Sequence, residues 1–184
     1  MKYLFCLCFS LMMTIGLARA EDYDNEDNNH DYAQAKFNDQ NGQSTGYVKF
    51  TQQKEGVVVE VHARNLKPGF HGFHIHAVGE CLSPFTSAGG HFDRDGHTHK
   101  DHSGDLPVLL VNADGKAKAK FKTDRFRVAD LFDADGSAVI IHANPDNYAN
   151  IPTRYVATPD TATLATGDAG ARIACGVVEN EHER

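Results

Sequence analysis

The sequence predicts an all-β domain, a sandwich or Greek-key barrel carrying two long loops. Three observations predict it: short apolar runs with period-two alternation, Gly, Asp and Asn turns between them, and scarce helical periodicity. Residues 47–51 (YVKFT) and 57–61 (VVVEV) flank Lys54-Glu55-Gly56 and read as one hairpin. Residues 106–111 (LPVLLV) and 116–122 (KAKAKFK) flank Asn112-Ala113-Asp114-Gly115 and read as a second. The alternation in KAKAKFK sends lysines to one face and Ala or Phe to the other, as a half-buried antiparallel strand requires. Residues 137–142 (SAVIIH) and 173–178 (IACGVV) supply two more strands, and residues 128–132 (VADLF) a single helical turn.

Two segments refuse this pattern. Residues 77–107 and 143–172 are rich in Gly, Pro, Asp and Thr and poor in large apolar side chains. Loops of that length in a compact domain usually carry function.

Ahead of the domain, Met1-Lys2, a 15-residue apolar run ending at Leu17 and Ala18-Arg19-Ala20 form the three parts of an export signal, residues 1–20. The run is too short for a good membrane span. Residues 21–32 (EDYDNEDNNHDY) are acidic and aperiodic, an expected mobile extension; residues 33–184 form the domain. The whole chain has 18 basic and 25 acidic side chains, net −7; without Lys2 and Arg19 the balance is 16 against 25, net −9. Such an acidic protein is a poor partner for nucleic acid or an anionic membrane, and an anionic substrate would need a local positive field. Only Cys81 and Cys175 follow the leader. In an exported chain this pair suggests one disulfide, two separate buried thiols being the alternative. Closing a loop of roughly 95 residues contributes about 4 to 5 kcal/mol before strain.

Histidines concentrate in and beside the first long loop. In GFHGFHIH, His74 and His76 stand two apart, so on a strand both rings face one side and can meet one ion. In GGHFDRDGHTHKDHSGD, His91, His97, His99, His102 and Asp105 fall within fifteen residues. Imidazole suits zinc and copper, and a carboxylate completes a zinc shell. His142, closing the apolar run AVII, reads by itself as a buried core histidine.

GFHGFHIH, SAGGHF, HSGDLP, IIHANPDN and GDAGARIACGVV occur in this order between residues 69 and 178, and the resemblance they carry covers about residues 33–178. Together they resemble the copper–zinc superoxide dismutase family in its exported bacterial form. The resemblance implies an eight-stranded Greek-key β-barrel, with copper held by His74, His76, His91 and His142. Zinc would be held by His91, His99, His102 and Asp105, with His91 bridging both ions. The zinc loop is shorter than the family's and lacks its KHG motif; His99 keeps the usual separation from His91 and is preferred to His97. His71 is implied to be structural, bonding backbone, and Asp146 to link one copper ligand to one zinc ligand. Cys81 and Cys175 match the family's disulfide.

The implied activity is superoxide dismutation outside the cytoplasm, in the periplasm or secreted, with superoxide as substrate and no nucleic-acid or membrane partner. Monomer and homodimer both stay open. His91 and Arg172 are the implied catalytic residues: His91 carries a proton, Arg172 draws in and docks the anion, and Thr166 narrows its channel. A protein that only sequesters copper or zinc would need the same histidines but neither Arg172 nor a shared His91.

Overall fold

The computed structural model describes residues 31–180; the expected leader, nearly all of the acidic extension and the last four residues lie outside it. Nine strands are described: β1 (Tyr32–Asp39), β2 (Ser44–Gln53), β3 (Gly56–Ala63), β4 (Gly69–His71), β5 (Phe73–His76), β6 (Leu109–Val111), β7 (Ala117–Thr123), β8 (Ala138–His142) and β9 (Arg172–Asn180). Seven form one curled antiparallel sheet in the order β5-β8-β9-β1-β2-β3-β7, and β4 pairs with β6 alone. β1 begins at Tyr32, the last residue of the stretch read as an extension.

The architecture is all-β, with nine strands described where eight were expected. The extra one arises at Gly72, which separates β4 from β5. Its N–H donates to Asn144 O and its carbonyl accepts from His142 N, both at 2.8 Å, so the chain changes partners there. A Cβ at Gly72 would lie 2.6 Å from Ala169 Cβ, and only glycine lets these two segments approach this closely.

The first expected hairpin is present as β2–β3, in register from Gly46↔Ala63 to Gln53↔Gly56. The second is corrected. Asn112 N donates to Lys116 O at 2.8 Å and closes the turn, but beyond it the arms part: β6 joins β4 and β7 joins β3. Local turn chemistry brings the two strands together, and the sheet's curl then gives each a better neighbour.

The core follows the alternation. Val57, Val59 and Val61 of β3 point inward against Phe37, Phe50, Phe73, Ile75, Leu109 and Leu131. Lys118, Lys120 and Lys122 of β7 point to solvent. β8 is buried on both faces, which explains an unbroken AVII run rather than an alternating one. Its outward face carries Ala138 and Ile140 under Phe85, Ala88 and Cys175. The disulfide Cys81–Cys175, Cα atoms 5.8 Å apart, ties that covering loop to β9.

Val128–Phe132 forms the expected turn, as a 3-10 helix. A short helix in the second loop, α1 (Thr161–Thr166), was not anticipated. Its signals are in the sequence: Asp160 accepts from Thr163 N at 2.8 Å, and Gly167 caps the far end at φ 58°.

Candidate metal centre

One edge of β5 pairs with β8; the other is claimed by the first long loop. Ile75 N donates to Gly104 O (2.9 Å), and Ile75 O accepts from Phe92 N (2.8 Å). Asp105 thus stands opposite His74, and His91 opposite His76. A Cβ at Gly104 would sit 2.4 Å from Ile75 O, so this docking requires glycine. From the other side, β8 ends in His142 where the ladder to β9 shifts register.

The result is two overlapping groups. His74, His76, His91 and His142 offer ligand atoms all within 4.8 Å of one another, and so do His74, His91, His99 and Asp105. His102 joins the second group through Nδ1, 3.2 Å from Asp105 Oδ2. His97, the alternative to His99, is exposed and turned to Asp93 at 3.5 Å; His99 is 1 % exposed and inside.

Hydrogen bonding fixes which nitrogen of each ring is free. His74 donates from Nε2 to Asp146 Oδ2 (2.6 Å), and its buried Nδ1 has no partner. His91 donates from Nδ1 to Asp105 Oδ1 (2.8 Å), and its buried Nε2 has none. His76 and His142 donate from Nδ1 to Gly89 O (3.0 Å) and Gly170 O (3.1 Å). Their Nε2 atoms therefore face each other at 3.4 Å as two lone pairs. Four lone pairs turned into one dry space repel one another unless a cation sits among them. The donor set, four neutral imidazoles, suits copper or zinc.

The second position has the same deficit. His99 donates from Nε2 to Asp146 Oδ1 (2.8 Å), leaving Nδ1 aimed near Asp105 Oδ1 at 3.1 Å without hydrogen-bonding geometry. Burial opposes charge on His99, but its contacts with Asp105 and Asp146 win and push its pKa up to about 9. A proton there does what a metal ion would do. Burial alone would raise the carboxyls of Asp105 and Asp146, yet the imidazoles around them hold both well below the usual range. Burial, helped by neighbouring histidines, pulls His91 down to about 4 and His142 to about 3, and His76 well below its ordinary value. These three rings are neutral and ready to ligate.

Asp146 stands between His74 and His99, a link between the two groups. Gly167 packs against this junction so tightly that a Cβ would lie 2.0 Å from Asp146 Oδ1 and 2.3 Å from His99 Nε2. His99 N donates to Leu164 O (2.7 Å), so α1 also positions the ring. His71 lies behind the centre, with Nδ1 at 2.6 Å from His142 O and Nε2 at 2.8 Å from Lys67 O.

Arg172 opens β9 with its guanidinium bonded to Phe85 O and Gly89 O, each at 2.5 Å. Gly89 O also accepts from His76, so the cation stands beside the first group. Thr166 is exposed on α1, its hydroxyl donating to Ala162 O (3.0 Å). Sequence reasoning missed Gly89 and Gly167, whose parts are played by a carbonyl and an absent side chain.

Comparison with known proteins points to one family. The family model described as copper/zinc superoxide dismutase (SODC) matches residues 44–178. A superoxide dismutase [Cu-Zn] of Mycolicibacterium paratuberculosis is 45% identical over 163 residues, 79% of this chain and 67% of that protein. The enzyme of the same name from Photobacterium leiognathi is 36% identical over 76% of this chain and 82% of its own length. The chain spans 64% of the Mycobacterium tuberculosis relative. Among solved structures, the Cu/Zn superoxide dismutase of Brucella abortus superposes with a TM-score of 0.64 at 30% identity, covering 80% of this chain and 99% of that one.

Proposed function

Since this chain belongs to the copper/zinc superoxide dismutase family, we propose that it converts two superoxide anions and two protons into dioxygen and hydrogen peroxide. The carrying observation is the set of four lone-pair nitrogens, His74 Nδ1, His76 Nε2, His91 Nε2 and His142 Nε2, converging where a cation would satisfy all four. Copper would be held by these four residues, and zinc by His91 with His99, His102 and Asp105, His91 giving up the Nδ1 proton it now shares with Asp105.

When bound, copper supplies reversible one-electron chemistry, and zinc, which has none, a fixed charge. The protein's own residues do the rest. Arg172 is the local positive field that a net-acidic molecule needs to attract a small anion, and its two carbonyl anchors hold the guanidinium still. His91 is gripped at Nδ1, so its Nε2 is the atom at which a proton can be held without the ring turning away. Asp146 fixes the tautomers of His74 and His99 together. His71 braces the His142 carbonyl from behind.

The finer reading is that the enzyme works in the periplasm or is secreted. The export-type leader and the disulfide Cys81–Cys175 support this, since disulfides persist in oxidising compartments. The test is inhibition of cytochrome reduction in a superoxide-generating assay, with metal-free protein as the control. Copper- and zinc-loaded protein is expected to inhibit catalytically. Stoichiometric metal binding without turnover would instead make it a sequestering protein.

A further inference from the structure

Tyr148 lies on the second long loop, two residues beyond Asp146. Its N–H donates to Asp146 Oδ1 at 2.6 Å, and its hydroxyl accepts from Val108 N at 2.7 Å. Its ring lies parallel and offset to that of His99, centroids 6.5 Å apart at 11°. Tyr148 and Ala149 have φ of 55° and 52°, a left-handed pair that non-glycine residues rarely adopt. Tyr148 is thus tied twice, its backbone to Asp146 in its own loop and its hydroxyl to Val108, just past the first long loop.

The two sides of this residue differ. His99 is 1 % exposed and Asp105 is 6 % exposed, whereas Tyr148 is only half-buried. A surface hollow of about 590 Å³ is lined by Tyr148 together with Lys100, Asp105, Leu106 and Arg125. Tyr148 therefore borders both open solvent and the second metal position.

We propose that Tyr148 is the door through which the second ion enters and leaves. The proposal rests on the reading that His91, His99, His102 and Asp105 hold zinc. Turning the phenol off His99 needs only the Val108 bond to break; the backbone bond to Asp146 stays, so the ligands keep their positions while the way in opens. A door belongs to the barrier and not to either end state. Removing it accelerates entry and exit alike and leaves affinity nearly unchanged. A residue that merely shaped the site would weaken affinity through exit alone.

The experiment measures Zn²⁺ uptake, Zn²⁺ release to an excess chelator and equilibrium affinity, all in copper-loaded protein. The variants are Tyr148→Phe and Tyr148→Ala. Losing one hydrogen bond in Tyr148→Phe should speed both rates about fivefold. Losing the ring in Tyr148→Ala should speed both about tenfold or more, affinity holding within about threefold. The copper absorption spectrum reports folding, and Tyr148→Phe keeps the test decisive should Tyr148→Ala not fold. Unchanged rates, or faster release with unchanged uptake and weaker affinity, would overturn the door alone. Failure of the parent protein to bind zinc beside its copper would remove the metal assignment and the door together.

Discussion

Arg172 shows how one residue can answer a problem set by the whole charge balance. Among the described residues the guanidinium bonds two backbone carbonyls and no carboxylate, so its positive charge is held in place but not neutralised by them. Arg172→Ala is expected to lower kcat/KM by about tenfold or more, in the range that local steering supplies, with both ions still bound. Arg172→Lys should recover part of the loss. Steady-state kinetics alongside elemental analysis checks this, and an unchanged rate in Arg172→Ala would remove the steering role. Asp146 is the other residue on which much converges, since His74, His99 and the Tyr148 N–H all donate to it. Its position in a Pro-Asp-Asn sequence reads locally as a turn. Only the fold brings three donors around it.

At the level of elements, the site depends on a loop acting as a strand. β5 would be an open edge if the first long loop did not dock on it through Ile75, and that docking carries both His91 and Asp105. Gly104→Ala forces a Cβ to within 2.4 Å of the Ile75 carbonyl, so the loop must move away from β5. The expected outcome is a loss of about 1 to 3 kcal/mol of stability, the usual cost of backbone strain, and zinc lost before copper. Denaturant titration with metal analysis measures both, and a variant as stable and as well metallated as the parent would show that the loop is not held this way. The helix α1 acts similarly from the second loop, its Leu164 carbonyl and Gly167 fitting against His99 and Asp146.

For the molecule as a whole, the centre is a store of buried neutral histidines and therefore a weakness in acid. His91 and His142 fall from 6.5 to about 4 and about 3 on folding. Between pH 6.5 and those values the unfolded chain binds protons that the folded chain refuses. Stability of the metal-free protein must fall with pH there, by about 1.4 kcal/mol per pH unit for each such group. His99 works in the opposite sense: raised to about 9, it contributes stability fully below pH 6.5 and loses it as pH rises through 9. On these groups the metal-free protein should therefore melt highest near pH 6.5, and melting curves across pH would reveal it. A melting temperature that stayed flat from pH 7 to 4 would contradict neutral burial of His91 and His142.

Period-two alternation, turn residues and the apolar AVII run were enough to make the protein all-β, because strand burial is written residue by residue. The histidine pair two apart, the His-rich loop and the H-x-G-D block named the chemistry, because ligand types are chemical facts that need no coordinates. The tertiary structure alone decided the rest. The strand broke at Gly72 because another backbone passes there, β6 left β7 for β4, and His99 rather than His97 turned inward. Tyr148 came to face His99 for the same reason. Each of these depends on what a distant segment places next to the residue, and a sequence lists neighbours along the chain while the physics of the site acts between neighbours in space.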